Sequence, residues 1–240
     1  MKCIILAAGY ATRLYPLTEN FPKPLLEVGN KPILDWLIDD IESSVDEILV
    51  VSNHKFYSIF EEWRVGKGND RVRVIDDGTE TNDTRLGAVK DIQLAVEDGN
   101  DYLVMAGDNM LDFSLISFIE YAKSVGTSCV MCHTENQLAA LQKTAVITTT
   151  DDGLIMSYEE KPVKPKGNLA VPPFYIYRSQ DIARIQEALD NGSNADAPGS
   201  FAAWLSKHTP MHAWKMEGRR YDIGDIASYE AVKQVWKEII

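Results

Sequence analysis

Cysteine is scarce in this chain, with Cys3, Cys129 and Cys132 the only three in 240 residues. So few thiols cannot make a disulfide framework, and they suit a reducing cytosol. Basic residues are also in deficit: 24 Lys plus Arg stand against 36 Asp plus Glu, a formal net charge of −12. That balance sets aside nucleic acid and anionic membrane surfaces as partners. It leaves room for a phosphorylated small molecule, because a few local cations can dominate one cleft. Long apolar runs are missing, since none approaches the ~20 residues of a membrane span. Met1-Lys2-Cys3 opens directly into a strand-like run, so no secretory leader is expected and the expected location is cytoplasmic. Metal motifs built on sulfur or imidazole are weak as well. Cys129-Val-Met-Cys132 lies in an apolar run from Ser128 that reads as a strand, where residues three apart face opposite ways; core packing is the expectation. His208 and His212 are separated by Pro210, which breaks any shared helical face.

What is present is concentrated in Lys2 to Leu34. Cys3 to Leu6 has the length and isoleucine content of a buried strand and ends in Ala7-Ala8-Gly9. A loop of small residues follows, carrying Thr12, Arg13 and Thr18, and then Lys23 between Pro22 and Pro24. The two prolines fix φ and bias the preceding residues toward extended backbone, so Lys23 should project from a stiffened chain. A strand, a loop with free backbone N–H groups, one arginine and one held lysine make a cradle for a polyphosphate. The loop is neither of the two common nucleotide fingerprints: it lacks the Gly-Lys-Ser/Thr ending of a P-loop and the G-x-G-x-x-G of a dinucleotide fold.

The spacing Leu6-Ala7-Ala8-Gly9-x-x-Thr12-Arg13-Leu14-x-Pro16-Leu17-Thr18, then Pro22-Lys23-Pro24-Leu25-Leu26-x-Val28, then Lys31-Pro32-Ile33 resembles the N-terminal region of the sugar-1-phosphate nucleotidyltransferases. Thymidylyl-, uridylyl- and cytidylyltransferases share it. The resemblance implies Leu6, Ala7, Ala8 and Gly9 at the nucleotide, with Arg13 and Lys23 as catalytic cations.

Downstream, apolar runs bounded by turn residues alternate with helical patterns, the rhythm of a mostly parallel sheet. Helices are expected at 32–41, 54–63, 87–97 and 115–125, with strands at 47–52, 72–75 and 102–106. The second half is richer in strands, at 128–132, 145–149, 154–159, 169–178 and 211–216, with Asp152-Gly153 a hairpin turn. Helices are expected there at 180–189 and 199–208. A last amphipathic helix, 225–240, offers Ala227, Val232, Val235, Trp236 and Ile239 as packing residues. That face would cover the sheet or a second subunit, and homo-oligomer formation stays open. The expected fold is α/β, a single Rossmann-like domain over residues 1–240 with a mixed, mostly parallel central sheet flanked by helices. Residues 1–125 would form its nucleotide-binding half and 126–240 its acceptor-binding half.

In open α/β sheets ligands bind beyond the carboxyl ends of strands, and three further segments end strands with polar residues. Gly107-Asp108-Asn109 reads alone as a turn or helix cap; it also resembles the family's Gly-Asp metal motif, which implies Asp108 as a Mg²⁺ ligand. Tyr221-Asp222-Ile223-Gly224-Asp225 resembles the family's Asp-x-Gly, which implies Asp222 as the second metal carboxylate, with Asp225 left to cap the last helix. Glu159-Glu160-Lys161-Pro162 reads alone as a solvated charge cluster; the resemblance implies Lys161 on the acceptor's phosphate and Glu160 on its polar groups. Near the helix start at 87, the family reads the nucleobase, implying Gly87 and Asn82 there. Thr144, Pro172 and Tyr175 complete the expected acceptor wall. Two departures fall on that wall: Thr144-Ala145 replaces a common Tyr-Gly, and Pro172-Pro173 replaces a Thr-Gly. The resemblance implies Mg²⁺-dependent coupling of a nucleoside triphosphate to a phosphorylated acceptor, with pyrophosphate released. The departures leave open whether the acceptor is a sugar 1-phosphate or a non-sugar such as phosphocholine or a phosphonate. A catalytically silent, nucleotide-sugar-binding relative is the remaining alternative.

Overall fold

A computed structural model describes residues 1–239, and Ile239 by its backbone only, so the Ile239 side chain proposed for packing lies outside the described residues. The chain forms two compact units that interleave in sequence. One comprises Met1–Leu86, Ala106–Ile116 and the chain from Glu217 on; the other comprises Gly87–Met105 and Ser117–Met216.

In the first unit the strands Lys2–Leu6, Ile48–Ser52 and Val72–Asp76 pair in parallel, Cys3 opposite Ile48 and Ser52 opposite Asp76. Ile48–Ser52 is buried along its whole length, as a central parallel strand with both faces covered must be. Because the three run the same way, Ala7, Asn53 and Asp77 emerge at one shared end. Asn53 is fully buried and fixes two elements there. Its Oδ1 accepts from Phe56 N at 3.0 Å, capping the helix His54–Lys67, and its Nδ2 donates to Ala8 O at 2.9 Å.

The last helix, Ile226–Ile239, packs Tyr229, Val232 and Trp236 into a cluster with Leu14, Val28, Ile33, Met110 and Ile223, so its apolar face covers this unit. Ala227, expected in that stripe, is exposed because it lies in the first turn beside the cap; Val235 is half-buried. Asp225 caps as expected: Ser228 N donates to its Oδ1 at 2.8 Å, and Asp225 N donates back to Ser228 Oγ at 2.9 Å. A two-stranded ribbon, Asn109–Leu111 against Arg220–Asp222, was not legible beforehand, since three residues show no periodicity.

In the second unit Phe174–Tyr177 pairs antiparallel with Tyr102–Ala106 and with Ser128–Thr134, and Ser128–Thr134 runs parallel to Met211–Lys215. Leu169–Val171, Ala145–Thr149 and Ile155–Glu160 extend the sheet by antiparallel pairs. The α/β class with a mixed sheet flanked by helices therefore holds. The single strand expected over 169–178 is two, Leu169–Val171 and Phe174–Tyr177, because Pro172 and Pro173 have no N–H to give a ladder. Likewise the helix expected over 180–189 is broken into Ser179–Ile182 and Ile185–Asp190. Cys129 and Cys132 are buried on their strand, and burial pushes the thiols up to about 12 and about 11, which leaves them as packing groups.

Candidate functional site

The first unit assembles a charged cluster from three distant stretches. After Leu6 the chain keeps its sheet position for one more residue, Ala7 N donating to Val51 O at 2.9 Å, while Gly107 N donates to Leu6 O at 2.9 Å. The end of the first strand and the Gly107-Asp108 turn are thereby locked side by side. Gly9 is exposed and Tyr10 turns inward. Tyr10 Oη lies 3.1 Å from Thr79 Oγ1, and Thr79 donates to Asp77 through its N–H at 2.7 Å and its hydroxyl at 3.1 Å. This network, which sequence reasoning missed, ties the Ala8–Tyr10 loop to the loop after the third parallel strand. Burial holds the Asp77 carboxyl above its ordinary value.

Ala11 then adopts φ 46°, ψ 41°, a left-handed conformation that costs a non-glycine residue roughly 1–2 kcal/mol. The fully buried Thr18 holds that turn, its Oγ1 donating to Ala11 O at 2.8 Å. The strained turn opens the short 3₁₀ helix Thr12–Leu14, with Leu14 buried and Arg13 exposed. Arg13 Nη1 comes within 3.9 Å of the position a Cβ on Gly224 would take.

Lys23 departs from expectation in backbone but not in reach. Pro22 is extended, whereas Lys23 opens a 3₁₀ turn over Lys23–Leu25, with Leu25 N donating to Pro22 O at 3.1 Å. The proline bias against helical φ/ψ is overridden because that turn buries Pro24 and Leu25. Lys23 is only 6% exposed, and its Nζ donates to Asp108 Oδ2 at 2.7 Å. Asp108 Oδ1 accepts from Asn109 Nδ2 at 2.8 Å. The ribbon sets Asp222 opposite Asn109, and Ile223 N donates to Asp108 O at 3.3 Å, so the two candidate metal carboxylates are backbone neighbours. Asp222 is exposed, and among the described residues its carboxylate meets only the Arg220 guanidinium, at 3.9 Å. Arg13, Lys23, Asp108 and Asp222 thus gather in one unit. Asn109 and Arg220 are neighbours of the candidate carboxylates that sequence reasoning missed, because their contacts depend on the unforeseen ribbon.

Asn82 is also in this unit, exposed in the 3₁₀ turn Asn82–Thr84, with its carbonyl accepting from Arg85 Nη1 at 2.9 Å. Gly87 belongs to the second unit. It opens the helix Ala88–Ala95 at φ 91°, and a Cβ there would sit 2.6 Å from Ala195 O, so only glycine fits.

The second unit holds a cavity of about 260 Å³ bounded by Glu160, Lys161, Thr144, Pro173, Tyr175 and Asp196, among others. Four of the five expected acceptor residues line it. Pro172 is buried and does not line it, whereas Pro173 does, and the Thr144 hydroxyl is committed to Val171 O at 3.1 Å. Glu160 Oε2 is buried with no hydrogen-bond partner among the described residues. Burial pushes this carboxyl above its ordinary value, against a smaller opposing pull from Lys161. Gly199 packs directly on that oxygen, and a Cβ there would collide with it. Lys161 is exposed at φ 46°, its N–H donating to Thr144 O at 3.1 Å, so a strained backbone carries one of the two lysines at the cavity, Lys143 being the other.

A family model described as Nucleotidyl transferase matches residues 2–238. The bifunctional protein GlmU of Methanococcus maripaludis is 34% identical over 229 residues, 93% of this chain and 51% of the relative. The UTP–glucose-1-phosphate uridylyltransferase AglF of Haloferax volcanii is 29% identical over 180 residues, 74% of this chain and 72% of that one. The chain spans about half the length of the GlmU relatives it matches. In fold, it is similar to a UDP-glucose pyrophosphorylase complexed with UDP-glucose, with TM-score 0.83 and 20% identity over 99% of this chain and 98% of that one.

Proposed function

The chain belongs to the nucleotidyl transferase family, and from that membership we propose that it joins a nucleoside triphosphate to a sugar 1-phosphate, giving a nucleoside-diphosphate sugar and pyrophosphate. The observation that carries this reading is the gathering of Arg13, Lys23, Asp108 and Asp222 in one unit from three distant stretches of chain. Structural packing alone gives no reason to hold an ammonium, a guanidinium and two carboxylates beside an open small-residue loop.

In the proposed reaction an acceptor phosphate oxygen attacks the α-phosphorus, and the bond to the bridging oxygen of the leaving pyrophosphate breaks. Two anions must meet while charge grows on the leaving group, so positioning and cation placement supply most of the rate. Lys23 would hold the α-phosphate region, Arg13 the departing β,γ-phosphates, and Lys161 the acceptor phosphate. Leu6, Ala7, Ala8 and Gly9 would offer backbone to the nucleotide, with Asn82 and Gly87 on the base side.

Asp108 and Asp222 fit a Mg²⁺ ion. Both offer hard oxygens on neighbouring backbone, and two carboxylates suit an ion that fills its other positions with phosphate and water. Bound there, Mg²⁺ would supply charge neutralisation at the α-phosphate.

Glu160 supports a hydroxylated acceptor. A buried carboxylate oxygen without a partner is expensive unless the ligand donates to it. Sugar hydroxyls do so by hydrogen bonding, whereas the quaternary ammonium of phosphocholine would meet the carboxylate by charge alone. The test is pyrophosphate release measured across the common nucleoside triphosphates and a panel of sugar 1-phosphates, phosphocholine and phosphonates. Turnover with a hydroxylated acceptor is expected, and no turnover with any pair would overturn the reading.

A further inference from the structure

Both carboxylates assigned above to the metal already face cations belonging to the chain. Lys23 Nζ occupies Asp108 Oδ2 at 2.7 Å. Asp108 Oδ1 accepts from Asn109 Nδ2 at 2.8 Å, and Asn109, fully buried, accepts through its own Oδ1 from Arg220 Nη1 at 2.5 Å. The same Arg220 nitrogen lies 3.9 Å from Asp222 Oδ1. Two negative side chains are thus matched by two positive ones, joined through a single buried amide.

This arrangement has a consequence for an ion that arrives alone. To reach Asp108 Oδ2 it must displace the Lys23 ammonium, and Lys23 is 6% exposed with its backbone pinned between two prolines. A buried ammonium stripped of its counter-ion carries a large desolvation penalty. A polyphosphate removes that penalty, because its oxygens give the ammonium a charge-assisted partner in place of the carboxylate.

We propose that Lys23 is a place-holder for the divalent cation: it occupies Asp108 in the free protein, holds metal affinity low, and frees the carboxylate when a polyphosphate takes over its ammonium. Metal and triphosphate then enter as a pair, and the free protein does not carry a resident ion that would bind pyrophosphate unproductively. The proposal rests on the reading of Asp108 and Asp222 as metal carboxylates, and it adds a role for Lys23 that precedes any chemistry.

The test uses Mn²⁺ alone, without nucleotide, with the paramagnetic resonance signal of the free ion as readout. Wild type is compared with Lys23→Met and with Lys23→Gln, the second keeping a hydrogen-bond donor for Asp108 should the first fold poorly. Both variants are expected to bind Mn²⁺ at least tenfold more tightly than wild type, and adding Asp222→Asn to either should abolish the gain. Equal Mn²⁺ affinity in wild type and both variants, with Asp222→Asn weakening all three alike, overturns the place-holder role and leaves the metal site standing. No Mn²⁺ binding to any variant, even with a nucleoside triphosphate present, overturns both.

Discussion

The charged cluster of the first unit and the cavity of the second handle polar groups in opposite ways. Around Asp108 each side-chain oxygen already has a partner: Oδ2 meets Lys23 and Oδ1 meets Asn109, which is itself fixed by Arg220. In the cavity, Glu160 keeps a buried oxygen unpaired and Lys161 sits in a left-handed conformation. The first is wired within the protein; the second is left incomplete. A satisfied network holds its geometry before substrate arrives, which suits a reaction common to many relatives. An unsatisfied group imposes a requirement on the ligand, which suits selection among acceptors. On the proposed reading, charge handling and acceptor choice reside in different units and should fail separately.

The largest expected effect is on the wired side. Lys23→Ala should lower kcat by about 10²–10³ while weakening triphosphate binding far less, because the ammonium acts where charge builds in the transition state. Steady-state kinetics with equilibrium nucleotide binding checks this. An unchanged kcat would remove Lys23 from the mechanism and dissolve the contrast.

The next effect falls on the unfinished side and has two signs. Glu160→Gln should cut kcat/KM for the acceptor by roughly 10²-fold, since the site then mispairs with a donor, while KM for the triphosphate stays put. The same change should stabilise the protein by on the order of 1 kcal/mol at neutral pH, because the buried charge is gone. The pH dependence follows from the raised Glu160 pKa. Below the ordinary glutamate value the carboxyl is protonated in both folded and unfolded chains, and wild type and variant match. As pH rises through the raised folded value the folded state must carry a buried anion, and wild type falls behind. Chemical denaturation at several pH values reads this out; a stability gap that shrinks with rising pH would contradict it.

Asp222→Asn comes third, with the Mg²⁺ concentration for half-maximal activity raised roughly tenfold, in line with the loss of one carboxylate ligand. An identical Mg²⁺ titration would argue against ligation there.

Most of the fold was legible because strands such as Ile48–Ser52 and Tyr102–Ala106 are apolar runs and helices such as Ile33–Ile41 carry an apolar stripe. Val72–Asp76 and Tyr102–Ala106 fall within a residue of where the pattern puts them. What escaped was non-local. Arg220 and Asn109 meet only because two three-residue strands pair across a long stretch of sequence, and nothing in either segment announces a partner. Pro172-Pro173 was visible as a departure, but its effect, one strand split into two that flank Ser128–Thr134 on opposite sides, appears only when the ladder is traced. In the site, Lys23 and Asp108 were legible as separate motifs, whereas their direct ion pair was not.

The smallest effect tests how far the wiring extends. Ser228 lies on the last helix, where its Oγ accepts from Gly224 N at 3.0 Å and Asp225 N at 2.9 Å. Arg13 Nη1 comes within 3.9 Å of the position a Cβ on Gly224 would take. Ser228→Ala should cost about 1 kcal/mol as the lost reciprocal half of the cap, a fall in Tm of about 2–4 °C for a chain of this size. If the cap only ends a helix, kinetics will not move. If it also fixes the backbone under Arg13, KM for the triphosphate should rise a few-fold while KM for the acceptor stays unchanged. A rise in the acceptor KM of equal size would show that the two regions are not separable.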